Sequence, residues 1–99
     1  MSKPKHYWYG AVRKMIMSSS EVQKEKTLQA VIFNHALEDA FEETRKLPNG
    51  ELRIKAVEDI LINKTKTYDG VALEVFYDKR TIQTWVNSFV NLVGKKAGY

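Results

Sequence analysis

The sequence predicts an all-α protein, a small helical domain of about five helices, and three observations support this. The chain of 99 residues has the length of one small domain, and its apolar fraction of 43% is enough for a core. Its two prolines, Pro4 and Pro48, stand where helices can begin or end. No alternation of apolar and polar residues persists long enough to indicate a strand.

The first helix is predicted from about residue 4 or 5 to Met17. Its apolar stripe, at spacings of three and four, consists of Trp8, Val12, Met15 and Ile16. The serines at 18–20 are expected to end it. Ser20 and Gln23 have the spacing of a capping box, which predicts that the next helix starts there.

The second helix is predicted to be the longest, over 21–46. The residues expected on its buried side are Val22, Leu28, Ile32, Phe33, Ala36, Leu37, Ala40 and Phe41. Leu47-Pro48-Asn49-Gly50 is a strong stop signal, because proline presets a turn and Asn-Gly tolerates positive φ. The single domain, 1–99, therefore divides into an N-terminal helical part, 1–46, and a C-terminal part, 51–99.

Three shorter helices are predicted in the C-terminal part. The third covers about 51–63, with one face formed by Leu52, Ala56, Val57, Ile60 and Leu61. Thr67 is the predicted N-cap of the fourth, 68–76. Asp78 is the predicted N-cap of the fifth, 79–93, and Gly94 is expected to mark its end.

The last two helices match the template of a helix-turn-helix, in which a short helix packs against a recognition helix. Ala72 supplies the small residue where the helices cross. The apolar residues at the template's core offsets are Val71, Val75, Tyr77, Ile82 and Trp85. Phe76 departs from the pattern, because glycine is common just before the turn, so a different turn type is left open.

The opposite face of the fifth helix carries the residue types that read DNA. The side chains expected to point outward are Lys79, Arg80, Gln83, Thr84, Asn87 and Asn91. Arginine and lysine pair with guanine or phosphate, glutamine and asparagine with adenine, and threonine offers hydroxyl and methyl contacts. Lys64 and Lys66 could hold a phosphate at the start of the fourth helix. An ordinary solvated surface is the alternative for both groups.

The net charge of +4 permits an anionic partner without demanding one. Residues 1–20 carry four bases and no acid, and residues 65–99 carry five bases against three acids. Residues 21–46 carry four bases against six acids. A surface that meets an anion is therefore expected at the ends of the chain.

An enzyme is not predicted, and no catalytic residue, cofactor or metal is expected. His6 and His35 lack ligand spacing, and no glycine-rich phosphate loop occurs. The acidic cluster of Glu38, Asp39, Glu42 and Glu43 is interpreted as a solvated helix face. The absence of cysteine excludes disulfides and cysteine-based metal sites and fits a reducing cytoplasm. No targeting or membrane-spanning segment is predicted.

The aromatic run Tyr7-Trp8-Tyr9 leaves two interpretations open. Consecutive helical residues cannot all face one core, so Tyr7 or Tyr9 should be partly exposed while Trp8 joins the apolar stripe. The run either packs over the domain or forms a surface that faces a second copy or a polymerase.

Several segments resemble the ArpU/RinA-like group of small transcriptional regulators of phages and prophages. The similar segments are Leu47-Pro48-Asn49-Gly50, Arg53, Ala56-Val57-Glu58, Lys64-Thr65-Lys66-Thr67, Gly70-Val71-Ala72 and Lys79-Arg80-Thr81-Ile82-Gln83-Thr84-Trp85. Residues 6–16 resemble the start of some members, and residues 89–98 resemble their ending.

This resemblance implies a helical protein whose C-terminal part is similar to region 4 of sigma factors and acts on phage late or packaging genes. It implies DNA contacts at Arg80, Thr81, Gln83, Thr84 and Asn87. Double-stranded DNA is then the expected partner of a cytoplasmic monomer or homodimer, with host RNA polymerase as a second partner.

Two other functions fit the same residues. A protein-interaction adaptor would use the N-terminal aromatics and the acidic helix, with the helix-turn-helix as scaffold. A small terminase-like packaging protein would also bind DNA but would form a large ring.

Overall fold

The computed structural model describes residues 7–22, 24 and 27–99, without the side chains of Ser20 and Val22. Every regular element in this part of the chain is a helix, and none is a strand. The helices are α1 (Tyr9–Met17), α2 (Ser19–Val22), α3 (Leu28–Arg45), α4 (Gly50–Val57, continued by a π-helical segment, Glu58–Ile62), α5 (Tyr68–Val75) and α6 (Lys79–Lys96). The predicted all-α class is therefore confirmed.

Helix α1 buries the predicted stripe. Trp8, Val12 and Ile16 are buried, and Met15 is half-buried. Tyr7 is 98% exposed, which confirms that the aromatic run cannot face one core. The predicted start of this helix, at residue 4 or 5, lies outside the described residues.

The predicted continuous helix over 21–46 is wrong. Thr27 has an extended backbone, with φ −76° and ψ 155°, so α2 and α3 are separate helices. The Thr27 side chain accepts a hydrogen bond of 3.1 Å from the backbone N–H of Ala30, as an N-cap does. Ser20 lies inside α2 rather than capping the long helix, and Gln23, its expected partner, is outside the described residues.

The buried face of α3 is narrower than predicted. Four members of the predicted set are buried, Phe33, Ala36, Leu37 and Ala40, and Phe41 is half-buried. Leu28 is 76% exposed and Ile32 45% exposed, so their predicted burial is wrong. At about 100° per residue, both positions lie 100° or more around the axis from Phe33.

The predicted break between α3 and α4 is present. Asn49 takes the left-handed conformation, with φ 59°. Gly50 is needed for a different reason: a Cβ there would lie 2.3 Å from the carbonyl oxygen of Arg45. Of the face predicted for the third helix, Leu52 is half-buried and the other four residues are buried.

Helix α6 lies at the centre of the core and contacts α1, α3, α4 and α5. Its buried residues are Ile82, Trp85, Val86, Phe89, Val90, Val93 and Gly94. The ring of Phe89 packs on that of Phe41 at a centroid distance of 4.8 Å. The radius of gyration, 13.2 Å, is what a compact domain of about 100 residues has.

The prediction that Gly94 ends the last helix is wrong, because α6 continues to Lys96. A Cβ at Gly94 would lie 2.1 Å from Cζ3 of Trp8. The glycine is therefore required by the close packing of the Trp8 ring on α6 rather than by helix termination.

We expect Gly94→Ala to lower the free energy of unfolding by about 1–3 kcal/mol, because the new methyl group displaces the Trp8 ring. Gly10→Ala is the matched control: it lies within α1, and its Cβ would meet nothing within 4 Å. The control should raise stability by about 0.5–1 kcal/mol. Urea unfolding of both variants measures this; equal stabilisation by the two alanines would contradict the packing of Trp8 on Gly94.

Trp85→Ala should cost about 3–5 kcal/mol, because a core aromatic is lost. Trp85 is 5% exposed and packs on Tyr77 at 5.1 Å between ring centroids, while the Arg53 guanidinium lies 5.7 Å from its centroid. Thermal unfolding measures the effect, with Trp85→Phe as the milder comparison. An unchanged melting temperature for the alanine variant would show that Trp85 is not part of the core.

Candidate nucleic-acid interface

Helices α5 and α6 form a tight pair in which the predicted small residue is buried. The Thr67 hydroxyl accepts a 3.1 Å hydrogen bond from the backbone N–H of Gly70, which confirms the predicted N-cap of α5. Val71 and Ala72 are buried, and Val75 is half-buried. Of the other residues predicted for the core of the pair, Ile82 and Trp85 are buried, whereas Tyr77 is 39% exposed.

The turn between the two helices begins at Phe76, which has a left-handed backbone with φ 60° and ψ 38°. Glycine favours the left-handed region. Phe76 therefore has the backbone conformation that glycine would adopt here, although its side chain departs from the sequence pattern. The backbone N–H of Tyr77 then bonds to the carbonyl of Ala72 at 3.2 Å. Asp78 is the N-cap residue of α6 as predicted, although its side chain makes no capping hydrogen bond.

The first turns of α6 present a polar stripe to solvent. Lys79, Arg80, Gln83 and Thr84 are exposed, and Thr81 is half-buried. The Thr84 hydroxyl donates to the carbonyl oxygen of Arg80 at 3.0 Å, so its methyl group is oriented by the helix itself. No acidic residue occurs from Lys79 to Tyr99.

Ser88 extends this stripe and was not among the residues predicted from the sequence. It is exposed and lies four residues after Thr84 on the same helix. The spacing of four was visible in the sequence, but serine is too common on solvated helices to stand out.

Asn87 and Asn91 were expected to point outward, but both are half-buried. The Tyr9 hydroxyl donates a hydrogen bond to Oδ1 of Asn87. Burial raises the pKa of Tyr9, with an opposing effect from Arg13, so the hydroxyl keeps its proton and acts as a donor. The Oδ1 of Asn87 therefore serves the contact between α1 and α6.

The predicted lysines differ in their surroundings. The Lys79 ammonium lies 3.5 Å from the Asp69 carboxylate, and both side chains are at least half exposed. Lys64 is exposed and has a positive φ of 56°. Lys66 is ion-paired with Glu74 and lies 3.4 Å from the Asp59 carboxylate, so its charge is balanced within the protein.

Glu74 connects the segment before α5 to α4. Its carboxylate lies 2.7 Å from the Lys55 ammonium and also pairs with Lys66. Hydrogen bonds from Lys55 and then Lys66 lower the pKa of Glu74 from 4.5 to about 2. These ion pairs hold the loop that leads into the helix pair.

Stability should fall in acid as this carboxylate is protonated. Because the folded pKa of Glu74 is below its unfolded value, its contribution is present above about pH 4.5 and is lost as the pH falls toward 2. NMR titration of the side-chain carboxyl should give a midpoint near 2, and Glu74→Gln should flatten the acid limb of stability against pH. A midpoint near 4.5 would contradict the pairing.

Helix α1 contacts both helices of the α5–α6 pair through side chains. The Arg13 guanidinium donates to the Tyr68 hydroxyl at 2.9 Å and lies 5.9 Å from the centre of that ring. Together with the hydrogen bond from Tyr9 to Asn87, this contact ties α1 to both α5 and α6. The N-terminal helix thus fixes the position of the pair.

The acidic surface of α3 forms no cluster suited to a metal. Glu43 pairs with Lys96, and His35 is exposed. Within the part of the chain that the structure describes, no three histidine or carboxylate side chains group as metal ligands. In that same part, no helix is long and apolar enough to cross a membrane.

A second surface feature is an apolar groove of about 510 Å³ between α1, α3 and the end of the chain. Its walls include Met15, Leu28, Ile32, Phe33 and Tyr99. Two of the exposed apolar residues of α3, Leu28 and Ile32, therefore line this groove.

Comparisons of the chain with models of known families, with curated proteins and with solved structures found no match.

Proposed function

We propose that the protein is a sequence-specific DNA-binding transcriptional regulator whose helix α6 enters the major groove of double-stranded DNA. The observation that carries the proposal is the exposed stripe on the first turns of α6, formed by Lys79, Arg80, Gln83 and Thr84. An α-helix fits the major groove, and these side chains match the hydrogen-bonding groups of base edges and phosphates.

Charge supports the same surface. The stripe begins at the N-terminus of α6, where the helix dipole favours an anion, and no acid follows it to the end of the chain. Lys79 is free to leave its exposed pair with Asp69, since surface pairs contribute little. Lys64 adds an exposed cation before α5.

The exposure and contacts of the predicted residues support a smaller set of proposed DNA contacts. Arg80, Gln83 and Thr84 are the proposed base-reading side chains, with Lys79 and Lys64 at phosphates. Thr81 is half-buried and Asn87 is bonded to Tyr9, so both are proposed as secondary contacts. Lys66 is proposed to act through its ion pairs, by holding the loop before α5 in place.

The resemblance to ArpU/RinA-like regulators extends the proposal. It supports a helix-turn-helix similar to region 4 of sigma factors, a role in expressing phage late or packaging genes, and a cytoplasmic monomer or homodimer. Host RNA polymerase is the second partner in this proposal. A terminase-like packaging protein would share the DNA contacts but would assemble into a ring, which light scattering distinguishes.

A protein-interaction adaptor is the second candidate function, because the apolar groove beside α3 is accessible to a partner. Leu28 and Ile32 are exposed on it, as apolar residues at a protein interface would be. In this alternative, substitutions on α6 would leave partner binding unchanged.

The double variant Arg80→Ala/Gln83→Ala should weaken specific DNA binding by about 2–5 kcal/mol, because two base-edge contacts are lost. The probe is a duplex selected from a randomised library by the wild-type protein, and affinity is measured by fluorescence anisotropy at two salt concentrations. Both side chains are exposed, so the melting temperature should stay unchanged.

The matched control is Lys46→Ala/Gln29→Ala, which removes one cation and one glutamine from exposed positions on α3 and at its C-terminal end. It should retain affinity for the selected duplex. Equal affinities of the two double variants would overturn the proposed interface, and failure to select any duplex would overturn DNA binding itself.

A further inference from the structure

Phe76 combines backbone strain with an exposed aromatic ring. Its φ of 60° lies in the left-handed region, which is unfavourable for a bulky side chain. Its side chain is 94% exposed, so burial within the domain does not offset this strain. The turn that ends α5 requires this conformation, but glycine adopts it at lower cost. An exposed phenylalanine where neither the turn nor burial favours it points to a contact made outside the folded chain.

The next residue, Tyr77, has different surroundings from those of Phe76. Tyr77 is 39% exposed and packs on the buried Trp85, with ring centroids 5.1 Å apart. Phe76 is therefore far more exposed than the next aromatic, which contacts a core residue. Leu73, three residues earlier on α5, is also exposed, at 79%, so the edge of the turn is apolar.

This apolar edge directly precedes the proposed DNA-reading stripe along the chain. Phe76 precedes Lys79 by three residues and Arg80 by four, at the end of α6 that enters the groove first. The core of a protein–protein interface is depleted in charge, whereas Phe76 has exposed charged neighbours of both signs, Lys79 and Arg80 on the stripe and Glu74 and Asp78 beside it. These charged surroundings disfavour a protein interface centred on Phe76, and the two cations belong to the proposed DNA-reading stripe.

The major groove offers one apolar feature to such a ring, the 5-methyl group of thymine. We infer that Phe76 contacts a thymine methyl group at the edge of the site read by α6, and so sets a preference for thymine there. This inference rests on the proposed function and adds a specificity-determining residue to it.

The test uses the duplex selected by the wild-type protein, with each thymine replaced in turn by deoxyuridine, which removes only the methyl group. At one position the wild-type affinity should fall about fourfold, the factor expected for one buried methyl group. Phe76→Gly should bind the thymine duplex about tenfold more weakly and should be insensitive to deoxyuridine at that position.

Stability separates this role from a structural one. Glycine relieves the left-handed strain, so Phe76→Gly should melt higher, by about 4–8 °C, while binding more weakly. Phe76→Asn, which also tolerates this backbone, is the second variant and should show the same loss of deoxyuridine sensitivity.

Arg80→Ala is the control for the binding surface: it should lose affinity yet keep the sensitivity to deoxyuridine. Wild-type binding that no deoxyuridine affects, or equal affinity of wild type and Phe76→Gly, would overturn the inference while leaving the proposed function intact. Failure of the wild-type protein to select any duplex would overturn both.

Discussion

The buried face of α6 is the constraint on which the rest of the structure depends. One side of this helix packs against α1, α3, α4 and α5, so its rotation about its own axis is fixed by four neighbours. Because that side takes the apolar residues, the other side must carry the polar ones. Arg80, Gln83 and Thr84 are therefore exposed as a consequence of the core, and the packing of α6 fixes where each of them leaves the helix.

The N-terminal helix, α1, adds side-chain contacts that help to fix the position of α6. Trp8 packs where Gly94 leaves room, and Arg13 and Tyr9 bond to the two helices of the C-terminal pair. Helix α1 is thus a support for the exposed polar stripe of α6, although its partners lie 55 and 78 residues away in sequence. The basic end of the sequence contributes Arg13 to this support and not to the exposed stripe.

The sequence predicted the helical class, the break at 47–50 and the core of the last two helices, because these depend on local spacing. Other features depend on tertiary contact. Thr27 caps α3 without a capping-box partner, and Leu28 lies off the face of α3 that packs against α6 and α4. The sequence suggests a helix end at Gly94 because the Trp8 ring that this glycine accommodates is remote in sequence. It suggests that Asn87 is exposed because Tyr9, which bonds to it, is also remote in sequence. Phe76 was correctly noted as a departure, but only the backbone showed its conformation.

The measurement that tests the central claim most directly is an NMR titration of the ¹⁵N-labelled protein with a selected duplex. If α6 is the reading helix, amide shifts should concentrate from Phe76 to Ser88 and weaken as salt is raised. Shifts confined to the groove around Leu28 and Tyr99, with α6 unchanged, would contradict the account.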